Sequence, residues 1–100
     1  MANACNYDAC AVIHFKEEFA KTCGEAGLFK HLSNYGELDK KWSTYEEKDL
    51  RAFAYFKNVE DAKKLIDEKT ITVNGVFQLK VKPHKNKTAA DVGFYYHIIT

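Results

Sequence analysis

The chain predicts an α+β domain in which a four-stranded antiparallel sheet carries two helices on one face, in the order β-α-β-β-α-β. Three observations lead there. Residues 50–56 alternate strictly, with Leu50, Ala52, Ala54 and Phe56 on one side and Arg51, Phe53 and Tyr55 on the other, which is the period of a strand. Asn58 then precedes apolar residues at helical spacing, Val59, Ala62, Leu65 and Ile66, and asparagine is a favoured N-cap. Finally, Asn74-Gly75 separates two further apolar segments, the strongest short-range hairpin signal.

The elements follow in order. Residues 1–8 read as a loose leader, and residues 9–15 as an apolar first strand of the central kind. Residues 16–21 read as a charged loop holding one aromatic, Phe19. Thr22-Cys-Gly-Glu25 has the spacing of a capping box, opening a helix with Leu28, His31, Leu32 and Tyr35 near one stripe. Gly36 is its expected stop. Residues 38–45 form a second strand of uncertain register, residues 46–49 a polar loop, and residues 50–56 the third strand. After the helix from Asn58, residues 71–73 and 76–81 form the hairpin. This order is the ferredoxin-like split βαβ plan, whose other sheet face stays open. A domain over residues 9–83 is followed by a basic linker and C-terminal extension, residues 84–100. There, Thr88-Ala-Ala-Asp91 caps a final helix bearing Val92, Tyr95, Tyr96 and Ile99, or residues 94–99 form a short strand.

Composition bounds the function. With 46% apolar and 29% charged residues in 100, the chain is expected to fold as one globular domain, monomeric in isolation. No apolar run approaches the roughly 20 residues a bilayer requires, and no basic segment leads into an apolar stretch at the N-terminus, so neither a membrane span nor a signal peptide is expected. Cys5, Cys10 and Cys23 are read as reduced thiols of a nuclear or cytoplasmic protein. Their spacing with His14 matches no zinc pattern. Without a glycine-rich phosphate loop, a nucleophile elbow or a recognisable carboxylate pair, neither catalysis nor a cofactor is expected.

Net charge is only +1, yet residues 76–88 hold Lys80, Lys82, Lys85, Lys87 and His84 with no acid. Gln78, Lys80 and Lys82 alternate with Phe77, Leu79 and Val81, and so share the open face with Phe53. A guanidinium, flat rings and lysines on one sheet face suit stacking on unpaired bases and contact with phosphate. Trp42 has two possible placements, on the open surface or, through a bulge, in the core.

Over roughly residues 10–82 the chain resembles an RNA-recognition motif domain. The resemblance is carried by Leu32-Ser-Asn-Tyr-Gly-Glu-Leu38, the third strand ending at Phe56, Asn58-Val-Glu-Asp-Ala62, and Val73-Asn-Gly75. The family's eight-residue motif starts with a basic residue, then glycine, then an aromatic. Laid from Asp49 it meets Leu50 and Arg51, so the first stacking aromatic is missing and the second is Phe53. The six-residue motif is best matched by Cys10-Ala-Val-Ile-His-Phe15, with Ala11 at its aromatic position. Such departures are similar, more faintly, to the C-terminal domains of this type in La and La-related proteins, where a helix covers the sheet and RNA contact moves to the second strand and an arginine on the third. The resemblance implies an RNA-binding module of a larger protein, taking single-stranded or looped RNA through Phe53, Arg51, Tyr55, Lys80, Lys82, Gln78, Trp42, Lys85 and Lys87. The alternative expectation is a protein-interaction domain on the same scaffold with a masked sheet face.

Overall fold

A computed structural model of the chain describes residues 6–85. The leader up to Cys5, Lys87 and the two readings of the C-terminal extension lie outside the described residues. A 3-10 turn (Tyr7–Ala9) leads into β1 (Cys10–His14). There follow α1 (Glu17–Thr22), α2 (Gly24–Leu32), β2 (Thr44–Glu46), β3 (Arg51–Tyr55), α3 (Val59–Glu68), β4 (Thr70–Val73) and β5 (Phe77–Pro83). The fold is α+β, with one antiparallel sheet in the order β2-β3-β1-β5-β4. It has five strands rather than four, because Thr70–Val73 pairs along β5 as a full edge strand.

Alternation builds the main core. Ala11 and Ile13 of β1, Ala52 and Ala54 of β3, and Leu79 and Val81 of β5 turn to the same side. There they meet Leu28 and Leu32 of α2 and Ala62 and Leu65 of α3. Small residues at 11, 52 and 54 let the helices approach the sheet closely. Asn58 caps α3 as expected, its Oδ1 accepting from the Glu60 N–H at 2.9 Å. Asn74 and Gly75 turn the hairpin with φ of 57° and 70°, the left-handed pair that matches strand twist.

Several local expectations are corrected. Residues 16–21 are not a loop: residues 17–22 form α1, anchored by Phe19, which is 1% exposed. Its ring packs on Phe15 and edge-on against Phe77. Glu17 and Glu18 in the first turn and Lys21 in the last suit the helix dipole. The Thr22/Glu25 capping box does not form, since Cys23 before α2 has helical dihedrals and no side-chain cap. The backbone instead breaks at Gly24, where φ is +65°.

Gly36 is not a left-handed helix stop either. A Cβ there would collide with the Asp61 carboxylate, so Gly36 lets the chain after α2 pass close to α3. The second strand shrinks to three residues, with a single bridge from Leu38 to Phe56 before it.

The turn that replaces the start of that strand is pinned by polar groups. Asp39 donates its N–H to the Tyr55 carbonyl at 2.6 Å, and its own carbonyl accepts from the Ser43 N–H at 3.1 Å. The Ser43 hydroxyl accepts from the Tyr55 N–H at 3.0 Å. This arrangement carries Trp42 onto the open side of the sheet.

Candidate nucleic-acid interface

Sheet register sets out the open face in rows. One row crosses all five strands: Thr70, Lys80, His14, Arg51 and Glu46. The next holds Lys82, Val12, Phe53 and Thr44. Cys10 and Tyr55 form a third pair. A second, smaller apolar cluster therefore lies on this face, made of Cys10, Val12 and Tyr55, with Trp42 and Phe53 partly buried against it.

Six of the expected residues meet here in different states. Phe53 is half-buried at the centre, with the Arg51 guanidinium 5.2 Å from its ring centroid. Arg51 is engaged: its Nε donates to Glu46 Oε1 at 2.9 Å, and a terminal nitrogen lies 3.8 Å from Asp49. Tyr55 is 7% exposed, so its ring supports the apolar cluster rather than offering an open platform. Trp42 is half-buried beside it, outside the main core, with the Lys41 ammonium 5.3 Å from its ring. Lys80 and Lys82 are exposed in the two central rows. Gln78 is on the same face but pairs only with Thr72, two residues beyond Lys80 and away from Phe53.

A depression of about 440 Å³ opens at the junction of β1, β3 and the end of β5. It is lined by His14, Arg51, Phe53, Lys82, His84 and Lys85, together with Val12 and Pro83. His84 stacks on Tyr7, with ring centroids 4.4 Å apart, and lies tilted against Phe53 at 5.5 Å. Burial holds its imidazole below the ordinary histidine value. His14 is also held below that value, by burial first and then by the charges of Lys82, Arg51, Lys80 and Lys85. The charges that lower the His14 pKa are thus positive although the chain's net charge is only +1.

The sequence reading missed His14 as a member of this face and missed the Tyr7–His84 stack. His14 was findable, because Cys10, Val12 and His14 share one parity along β1. His84 follows Pro83 outside any alternation, and no local signal marks it. Among the described residues no group of three or more His, Cys, Asp or Glu could hold a metal ion, and no helix is long and apolar enough to cross a membrane. No protein-family model matches the chain, and no curated protein is detectably similar to it in sequence.

Proposed function

We propose that the chain is an RNA-binding module that takes single-stranded or looped RNA across the open sheet face and the basic segment after β5. The observation that carries this reading is the gathering of Phe53, Arg51, Lys82, Lys85 and His14 around one depression, with Lys80 in the adjoining row. A half-buried ring ringed by cations offers a base its stacking surface and the flanking phosphates their counter-charges.

The scaffold reading has support of its own. Without the edge strand β4, the remaining order is β5-β1-β3-β2, the strand order of a split βαβ plan, with α2 and α3 on one face. The bounds of β3 also favour laying the eight-residue motif two residues later than Asp49. Arg51 is then its basic first residue, Ala52 stands for glycine, and Phe53 and Tyr55 are the two aromatics.

A titration of the chain with short single-stranded RNAs, followed by amide chemical shifts, tests the proposal. The expected shifts centre on Arg51, Phe53, Lys80, Lys82 and Lys85. With about three phosphates neutralised by lysine, log K should fall with log salt at a slope of about −2.

One observation favours the protein-interaction alternative. A mostly apolar groove of about 500 Å³ lies between α2 and the turn before β2, lined by Ala26, Phe29 and Leu38 with Glu25, Lys40 and Ser43 at its margins. A flat RNA titration at low salt sinks the first reading and moves attention to this groove.

A further inference from the structure

His14 stands near the middle of the open face, in register with Lys80 on one side and Arg51 on the other. It is half-buried and lines the depression beside Phe53, Lys82 and Lys85. Among the described residues, the charges that lower its pKa are all cations. β3 brings Arg51, β5 brings Lys80 and Lys82, and the segment after β5 brings Lys85. His84 also lines the depression. Two acids near Arg51, Glu46 of β2 and Asp49 before β3, are turned onto its guanidinium. An empty site of this kind keeps the imidazole neutral, because a further positive charge would sit among four others. An arriving anion reverses that balance.

We propose that this depression is a phosphodiester-binding subsite in which His14 takes up a proton as the anion binds and donates an N–H to a phosphate oxygen alongside Lys82 and Lys85. This inference rests on the RNA-binding reading. The proton comes from solvent and stays on the imidazole, and no bond to phosphorus forms or breaks. Binding is then linked to pH: RNA tightens as pH falls, by up to tenfold per pH unit for one proton. The histidine serves as a conditional cation, present when the phosphate is present and absent when it is not.

The probe is octauridylate, whose bases and phosphodiesters do not titrate between pH 5.5 and 7.5. Two readouts on the whole chain are needed. In the first, the His14 imidazole protons are followed by NMR across that range with and without RNA. The midpoint should move upward on binding. In the second, affinity is measured at pH 7.5 and 5.5 at constant ionic strength, for the native chain and for His14→Gln. The native chain should tighten by about fivefold or more, and the variant should lose most of that difference. Salt-sensitive binding with an unmoved His14 midpoint overturns this inference and leaves the RNA reading standing, as does a pH dependence that survives in His14→Gln. No binding at either pH in low salt overturns both. Should the variant fail to fold, the NMR titration of the native chain decides alone.

Discussion

His84 lies against Phe53, ring centroids 5.5 Å apart at 50°, while it stacks on Tyr7 at 4.4 Å. The chain thus places one of its own rings beside the aromatic best situated to receive a base. An aromatic pair contributes about 0.5–1.5 kcal/mol beyond area burial, whereas base stacking on an aromatic is worth about 1–3 kcal/mol. If RNA is bound as proposed, a base that stacks on Phe53 displaces His84, at some cost in affinity. Phe53→Ala should weaken RNA binding by at least about tenfold, and His84→Ala should tighten it by about two- to tenfold. Anisotropy titrations with a labelled single-stranded RNA check both. Unchanged affinity in Phe53→Ala would mean that the sheet face is not where RNA sits.

His14 and His84 make stability depend on pH. Burial, and for His14 the surrounding cations, hold both imidazoles below the ordinary value of 6.5. The unfolded chain consequently binds more protons than the folded one around that value. The stability these two groups contribute is complete well above pH 6.5 and is lost as pH falls through 6.5 to the lowered folded values. The urea midpoint should be lower at pH 5 than at pH 7.5, and His14→Gln should narrow the gap. A midpoint that stays level or rises on acidification contradicts the placement of these side chains.

What could be read from the chain alone divides along a physical line. Arg51–Tyr55 was legible because both faces of that strand announce themselves within five residues. Asn58 and Asn74-Gly75 were legible because a cap and a turn act through their own backbone neighbours. α1 was not, because six residues with a single buried anchor give no apolar period to find. β2 was not, because the turn before it is fixed by Asp39 and Ser43 hydrogen bonds to the Tyr55 backbone, partners far away in sequence. The site divides in the same way. Phe53 and Arg51 come from one strand, whereas the His14–Arg51–Lys80 row exists only once three strands are in register.

Phe19 gives the element missed in the sequence an energetic test. It is the one buried residue of α1 and meets both Phe15 and Phe77. Phe19→Ala should cost about 3–5 kcal/mol, the range for emptying a buried aromatic site. Asn58→Ala, which removes the cap of α3, should cost about 1 kcal/mol. Urea denaturation of the two variants ranks them. If the two losses are equal, or Phe19→Ala is the milder, α1 is not docked on the core as described.

Glu46 tests whether Arg51 is available to RNA or spent on its neighbour. Its carboxylate accepts from the Arg51 Nε at 2.9 Å, and both side chains are more than a third exposed. An exposed pair of this kind adds little to stability, so its main effect on the face is electrostatic. Glu46→Gln keeps an oxygen to accept the same hydrogen bond while removing the charge that opposes a phosphate. RNA affinity should rise by about threefold at low salt, and the gain should fade as salt screens the face. Arg51→Ala should weaken binding. In the Arg51→Ala background, Glu46→Gln should gain much less, since the acid acts chiefly by occupying the guanidinium; two residues in one ion pair are expected to couple in this way. An equal gain in both backgrounds would show that Glu46 acts as a distant charge and that Arg51 does not contact the nucleic acid.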